Sequence, residues 1–245
     1  MKLIAAAVLS FALLYHGESR AHPALLRPVL VELFTSEGCS SCPPADALLE
    51  ELDKSQPVPG AQILVLSEHV DYWNHIGWRD PFSSPLFTSR QRAYAERLHV
   101  EEVYTPQIVV DGAAQLIGSD KAAAIEAVKQ AVRAESLPIS LTPLPGAHAV
   151  LKVEPLPRSL KGEATVFLAT ADKQDTSDIH GGENNGRRLH HVSVLRSLTP
   201  VGNISAEEGL TKELPLGEHP ERMRFIAFVQ QSKQGRILGS AMLAP

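Results

Sequence analysis

The two cysteines of this chain, Cys39 and Cys42, lie three residues apart, between a segment with strand character and a segment with helix character. Residues 28–34 are a mostly apolar run of strand length, which is typical of a buried strand. Residues 43–52 carry apolar side chains at helical spacing, and the two prolines that open this segment suit a first helical turn, where no backbone N–H is needed. The sequence therefore predicts a strand, a turn that holds both cysteines, and a helix, in that order.

This spacing favours reactive cysteines over structural ones. A disulfide across so short a loop stabilises a fold by about 2 kcal/mol, whereas one that closes a hundred-residue loop contributes about 4.7 kcal/mol. A zinc site normally needs a second cysteine or histidine pair, and His180, His190 and His191 do not make a clear one. Because free N–H groups at a helix start lower the pKa of a thiol, we expect Cys39 to be the nucleophile and Cys42 the thiol that resolves a mixed disulfide.

The segments that follow, as far as about residue 135, predict an α/β fold. Strands are expected at residues 62–67, 107–110 and 115–117, and helices at residues 89–98 and after Ser119, which we expect to cap the last helix. Asp111-Gly112 is typical of a hairpin turn. Residues 68–82 hold both tryptophans and are expected to form a long aromatic loop.

Beyond about residue 136 the character of the sequence changes. Five prolines between residues 138 and 157 exclude long helices, and the apolar segments become short. Strands are predicted at residues 149–153, 164–169, 190–195, 224–230 and 236–242, with a long polar loop over residues 172–186. We expect a small antiparallel β-sandwich-like domain over residues 137–245, with its own core, that modulates access to the cysteines of an α/β domain over residues 22–136.

Residues 1–21 predict a secretory signal peptide. Lys2 precedes an apolar run over residues 3–14, and small residues mark a cleavage site near Ala21. The run is shorter than the ~20 residues of a membrane span, and an uncleaved anchor is the alternative. The formal net charge of −5, without a basic block, argues against nucleic acid as the main partner. We therefore expect a periplasmic or secreted protein that has no membrane span after cleavage.

A second motif, at Thr105-Pro106, resembles a segment of a known protein family. Thr105-Pro106, followed by an apolar strand and Gly112, resembles the segment of the thioredoxin superfamily in which the proline is cis, whereas an ordinary X–Pro bond is trans. Residues 28–135 resemble a thioredoxin fold as a whole. Residues 31–46, 69–73 and 104–106 resemble a secreted, thioredoxin-like family of unknown function, DUF1223.

The resemblance implies a thioredoxin-like fold with a redox site, and no assigned substrate. It implies that Thr105 and Pro106 bind substrate, by presenting the Thr105 backbone to an extended chain beside Cys39. The dipeptide between the cysteines is Ser-Ser, where thioredoxin has Gly-Pro. Because this dipeptide helps to set the reduction potential, the direction of exchange stays open.

Four residues at the start of the aromatic loop are candidates for an auxiliary role: His69, Asp71, Tyr72 and Trp73. His69 and Asp71 would relay protons to Cys42, although a lone histidine is more often a structural residue. The loop with Tyr72 and Trp73 either overhangs the site and binds substrate, or caps the sheet with its tryptophans in the core. Residues 182–191 either reach back to an anionic or thiolate group or form a solvated hairpin, and we favour the hairpin.

Together these features predict an exported thiol–disulfide oxidoreductase that acts on protein thiols or disulfides and needs no bound cofactor or metal. One alternative is a copper- or zinc-handling module that uses Cys39, Cys42 and His69. Another is a non-catalytic binding module whose disulfide is only structural. The sequence does not determine the physiological substrate, the oligomeric state or the reduction potential.

Overall fold

The computed structural model of the protein describes residues 26–160 and 162–243. It contains the following helices and strands: β1 (Arg27–Thr35), α1 (Pro43–Ser55), β2 (Ala61–His69), α2 (Pro85–Arg97), β3 (Gln107–Val110), β4 (Ala114–Ile117), α3 (Lys121–Val132), β5 (Ile139–Leu144), β6 (His148–Val153), β7 (Ala164–Asp178), β8 (Arg188–Ile204), β9 (Leu210–Pro215), β10 (Met223–Gln231) and β11 (Ile237–Met242). The predicted signal peptide lies outside the described residues. In the ranges that the structure describes, no helix is long and apolar enough to cross a membrane.

The strands form one large mixed sheet and one small antiparallel sheet. The large sheet has the strand order β11-β10-β7-β8-β2-β1-β3-β4, and the small one has the order β5-β6-β9. At the centre of the large sheet, β1 pairs parallel with β2 and antiparallel with β3. The predicted α/β fold with a smaller antiparallel β-region is therefore confirmed.

The central strands β1 and β2 are apolar because both of their faces are covered. Successive side chains of a strand point to opposite faces, so alternate residues enter different cores. Val29 and Val31 pack against α1 and α3, whereas Leu30 packs with Leu66 and with Phe87 of α2 on the other face. Burial of each such side chain contributes about 1.5–3 kcal/mol, which makes this layered centre the frame that holds the cysteines.

The C-terminal region continues this sheet. Strands β7, β8, β10 and β11 extend it beyond β2, and β8 meets β2 in parallel at Ser67 and Val194. One apolar cluster joins Leu30 and Leu64 to Ile226 and Phe228. A second cluster, formed only by residues beyond 136, lies under the small sheet. The C-terminal region therefore shares one core with the N-terminal half and contributes to a second core between the small sheet and strands β7 and β10, and the separate domain with its boundary at residue 136 stays a prediction.

Two local predictions are wrong. Residues 172–186 are not a long loop, because β7 runs to Asp178 and β8 begins at Arg188. This end of the β7–β8 ribbon has largely exposed side chains, so it lacks the apolar alternation by which a strand is recognised. The last helix is capped by Asp120 and not by Ser119, since the Asp120 carboxylate accepts a hydrogen bond from the Ala123 N–H at 2.9 Å.

A buried charged network, which we call the Arg90 cluster, ties the C-terminal region to β1. It consists of Glu32, Glu68, Arg90, Tyr94 and Gln230. The Arg90 guanidinium donates to Glu32 at 2.7 Å, to Tyr94 at 3.0 Å and to Gln230 at 3.0 Å. Tyr94 in turn donates to Glu32 at 2.7 Å. Glu68 lies 3.5 Å from Arg90, and burial together with the Glu32 charge raises the pKa of its carboxyl well above the usual value.

Candidate functional site

Cys39 and Cys42 lie at the start of α1, as the sequence predicts, and are joined by a disulfide with an S–S distance of 2.22 Å. Cys42 is the N-cap residue of the helix, and its carbonyl accepts hydrogen bonds from the N–H groups of Ala45 and Asp46. Ser41 Oγ lies 3.4 Å from Cys39 Sγ. Cys39 is only 1% exposed and Cys42 is fully buried. The disulfide therefore has the predicted place in the fold, but it is covered.

The Thr105–Pro106 peptide bond is cis, which confirms the prediction made from the motif. The indole N–H of Trp73 donates to Thr105 Oγ1 at 2.8 Å. The same tryptophan packs on the residue that precedes Cys39, because a Cβ atom placed on Gly38 would lie only 3.0 Å from Trp73 Cβ. Glycine at position 38 thus permits the close approach, and Trp73 connects the cysteine turn to the Thr105–Pro106 segment.

The aromatic loop lies beside the cysteine turn. Both tryptophans are half-buried, and the Trp78 indole N–H donates to Glu37 Oε2 at 2.8 Å. Tyr72 is directed elsewhere, since its hydroxyl donates to Gln91 Oε1 of α2 at 3.2 Å. The loop is therefore neither a free overhang nor a buried cap, because its two indole groups anchor it to residues that flank the site.

His69 and Asp71 take different positions. His69 is fully buried, and its Nδ1 lies 2.7 Å from Asp80 Oδ2, an atom that also accepts the Glu37 N–H at 2.9 Å. Burial opposes ionisation of Asp80, but His69 and these hydrogen bonds outweigh it and lower the pKa of the carboxyl. Asp71 accepts from the Thr88 hydroxyl of α2 at 2.6 Å. In the part of the chain that the structure describes, neither His69 nor Asp71 hydrogen-bonds a cysteine sulfur, so they form no direct relay to Cys42.

The connection between β7 and β8 covers the cysteine turn. Asn184 is fully buried, and its side-chain amide donates to the Glu37 carbonyl at 2.8 Å and to the Cys39 carbonyl at 2.9 Å. The neighbouring Glu183 carboxylate accepts the Ser40 N–H at 3.0 Å. The preference for a solvated hairpin over residues 182–191 is therefore wrong. These side chains satisfy backbone groups of a turn that has no strand or helix to pair them.

His191 of β8 lies between two carboxylates that flank the cysteines. Its Nε2 is 3.3 Å from Glu37 Oε1 and its Nδ1 is 3.8 Å from Asp46 Oδ2. We call Glu37, Asp46 and His191 the His191 cluster; all three are buried. Burial alone would lower the pKa of His191, but Asp46 and Glu37 outweigh it and raise the pKa to about 10. His191 is therefore positively charged at neutral pH.

We next consider whether the described side chains around the cysteines are arranged to bind a metal ion. Among residues 26–160 and 162–243, no group of three or more histidine, cysteine, aspartate or glutamate side chains is arranged to hold a metal ion. Both sulfurs are used in the disulfide, and His69 Nδ1 is paired with Asp80.

The comparisons with known proteins identify the family. The model of a family of proteins of unknown function, DUF1223, matches residues 30–230. The chain belongs to the DUF1223 family. The fold is similar to the X-ray crystal structure of a protein from Agrobacterium tumefaciens, with a TM-score of 0.71 and 26% sequence identity over 89% of this chain and 94% of that one. No curated protein matches the chain.

The structure adds five buried residues to the site of this DUF1223 protein that sequence reasoning missed as site residues: Glu37, Asp46, Asp80, Asn184 and His191. Two of them, Glu37 and Asp46, lie inside the stretch 31–46 that carries the family resemblance. Asn184 and His191 lie in the unusually polar segment 182–191. The family motif and the polar composition both mark these segments in the sequence, but only the fold shows that the two segments lie in contact.

Proposed function

We propose that this chain is an exported thiol–disulfide oxidoreductase that exchanges its Cys39–Cys42 disulfide with thiols and disulfides of proteins. The observation that carries the proposal is the disulfide at the N-terminus of α1, directly after a buried central strand. At this position the helix dipole and free N–H groups stabilise a thiolate. A disulfide that closes so short a loop adds little stability, so reactivity is the better reason for its presence.

The connectivity supports a thioredoxin-like assignment. Strand β1 leads into the cysteine turn and α1, β2 lies parallel to β1, and the hairpin β3–β4 pairs on the other side of β1. The cis Thr105–Pro106 bond immediately precedes β3. Thr105 and Pro106 would hold an extended substrate, with Trp73 fixing the Thr105 side chain.

The exchange proceeds in two displacements. In the reduced protein the Cys39 thiolate attacks one sulfur of a substrate disulfide, forming a mixed disulfide and releasing the other substrate sulfur as a thiolate. The Cys42 thiolate then attacks Cys39 Sγ, which forms the Cys39–Cys42 disulfide and releases the second substrate sulfur as a thiolate. Two electrons pass to the substrate, and the reverse sequence oxidises a substrate dithiol.

Export is the part of the proposal that rests on sequence alone. The apolar run over residues 3–14, with Lys2 before it and Ala21 after it, has the composition of a cleaved signal. A periplasmic or extracellular site would also let a disulfide persist.

Because the disulfide is covered, exchange with a protein substrate requires a movement of the chain. Since Cys39 is 1% exposed and Asn184 holds its carbonyl, a protein substrate reaches the sulfur only when the β7–β8 connection moves. The C-terminal region therefore controls access to the cysteines in this proposal.

Mixed-disulfide trapping tests the function. The reduced Cys42→Ser variant should form a covalent adduct with insulin, whose disulfides serve as a defined protein probe, and dithiothreitol should release it. Cys39→Ser is the matched control and should form no such adduct, because it lacks the proposed nucleophile. In the opposite direction, the oxidised wild-type protein should form disulfides in a reduced, unfolded protein. Absence of exchange in both directions would overturn the proposal.

A further inference from the structure

The His191 cluster contains charges without the hydrogen bonds that buried charges normally make. Within residues 26–160 and 162–243, Glu37 Oε1 and both ring nitrogens of His191 have no hydrogen-bond partner, although all three atoms are buried. The contacts of 3.3 and 3.8 Å are ion-pair contacts that fall short of hydrogen-bond geometry. Most buried polar atoms in proteins are paired, so atoms left unpaired beside a reactive group point to a functional role.

The cluster spans the two ends of the cysteine turn. Glu37 lies two residues before Cys39, and Asp46 lies one helical turn beyond Cys42 on the same face of α1. His191 contacts both carboxylates from β8. In the described ranges no hydrogen bond joins His191 to a sulfur, so any influence on the thiols is exerted through charge and position.

Each neighbouring element contributes a charged or polar group that faces the cluster. His69 at the end of β2 stacks edge-on with His191 at a ring distance of 4.7 Å and is itself paired with Asp80. Thr35 of β1 donates to Asp46 Oδ1 at 2.9 Å. Asp175 of β7 lies opposite His191 in the sheet register. The Trp78 indole supplies a hydrogen bond to Glu37 but no charge.

The charges of the cluster nearly balance only when His191 is protonated. Two carboxylates and one imidazolium give a net charge of −1, and without the imidazolium the net charge would be −2. Negative charge close to a thiol disfavours the thiolate, which is the nucleophile in exchange. A neutral residue at position 191 would therefore leave two buried carboxylates opposing ionisation of Cys39.

We propose that His191 is a positioning residue for thiol–disulfide exchange, whose imidazolium offsets the charges of Glu37 and Asp46 and so favours the Cys39 thiolate. This inference rests on the proposed function. It assigns to the C-terminal region a second part in the reaction besides covering the disulfide, because β8 supplies the only cation of the cluster.

The test measures the pH dependence of Cys39 alkylation by iodoacetamide in the reduced protein, read by mass spectrometry. His191→Gln should raise the apparent pKa of Cys39 by roughly one unit, in the range expected for a nearby charge. Glu37→Gln should lower it, and the double variant should return it towards the wild-type value. His190→Gln is the matched control, because His190 is the exposed neighbour on β8 and should leave the profile unchanged.

Two results would overturn the inference. One is an unchanged Cys39 profile in a folded His191→Gln variant. The other is a Glu37→Gln variant that does not lower the apparent pKa of Cys39. If His191→Gln does not fold, His191→Lys takes its place: it keeps the cation, so its Cys39 profile should stay near that of the wild type. Alkylation needs no protein partner, so the expected order of pKa values without any insulin adduct would overturn the proposed function and still show that His191 favours the Cys39 thiolate.

Discussion

Two buried charged clusters lie on opposite faces of the same pair of strands, and they are built differently. Glu68 and His69 are neighbours in β2, so their side chains point to opposite faces; Glu68 joins the Arg90 cluster, and His69 lies against His191. In the Arg90 cluster, Glu32, Tyr94 and Gln230 surround the guanidinium at hydrogen-bond distances of 2.7–3.0 Å. In the His191 cluster the ion-pair distances are 3.3 and 3.8 Å.

The difference concerns the two cations, because within the described residues both carboxylate oxygens of Glu68 in the Arg90 cluster also lack a hydrogen-bond partner. Buried ions are tolerated when hydrogen bonds replace their lost hydration, and the Arg90 guanidinium achieves this with partners from β1, α2 and β10. The His191 imidazolium has charge compensation, but within the described residues its ring nitrogens make no hydrogen bond, and the two carboxylates that it contacts flank the cysteines along the chain. We infer that the Arg90 cluster holds the two halves of the chain together, whereas the His191 cluster sets the electrostatic surroundings of the cysteines.

The largest expected effect comes from breaking the structural cluster. Arg90→Met removes the cation and leaves Glu32 buried with only the Tyr94 hydroxyl as a partner, which should lower the free energy of unfolding by about 3–5 kcal/mol. Urea unfolding measures this loss. Arg92→Met, an exposed arginine on the same helix, is the control and should change stability by less than about 0.5 kcal/mol. An Arg90→Met variant as stable as the control would remove the distinction between the clusters.

The pH dependence of the free energy of unfolding tests the charge of the His191 cluster. The pKa of His191 in the folded protein is about 10, against about 6.5 in an unfolded chain. A raised pKa stabilises the fold fully below the unfolded value, and that stabilisation is lost as the pH rises through the folded value. Between about pH 6.5 and 10, His191 should therefore reduce the free energy of unfolding by up to ~1.4 kcal/mol per pH unit.

The comparison with His191→Gln isolates this contribution. The variant should lose less stability than the wild type over the same pH range, so the two curves converge as the pH rises. Oxidised protein is used because its cysteines do not titrate, and the raised pKa of Glu68 affects both proteins in the same direction. His190→Gln should run parallel to the wild type. Parallel curves for the wild type and His191→Gln would show that His191 carries no charge linked to folding.

The sequence predicted what depends on short-range pattern. The strand before the cysteines, the helix after them and the hairpin turn at Asp111-Gly112 follow from periodicity and turn chemistry within a few residues. The cis bond at Pro106 followed from a resemblance carried by a local motif. Each of these features is written in contiguous residues, which is why a single sequence is sufficient to find it.

The covering of the site could not be predicted in this way. Asn184 reaches the Cys39 carbonyl across 145 residues of chain, and His191 pairs with acids on two other elements. Such contacts exist only because β8 joins the large sheet beside β2, a pairing that rests on one matched position. The polar composition of segment 182–191 marked it as unusual, but polarity alone is equally typical of a solvated hairpin.

The smallest expected effect concerns Asn184. Its substitution tests whether hydrogen bonds from the C-terminal region stabilise the cysteine turn, as they stabilise the Arg90 cluster. Asn184→Ala leaves the Glu37 carbonyl without its donor and the Cys39 carbonyl with only the Cys42 N–H, which should cost about 1–3 kcal/mol of stability. Because the cover over Cys39 is loosened, dithiothreitol should also reduce the disulfide faster. Asn185→Ala, an exposed neighbour, is the control for both measurements.

Arg90→Met should lower stability without a comparable gain in the rate of disulfide reduction under native conditions, because the Arg90 cluster lies on the opposite face of the strands. Equal reduction rates for Asn184→Ala and Asn185→Ala would show that Asn184 does not control access, and Trp73, which packs on Gly38 directly before Cys39, would be the next residue to test.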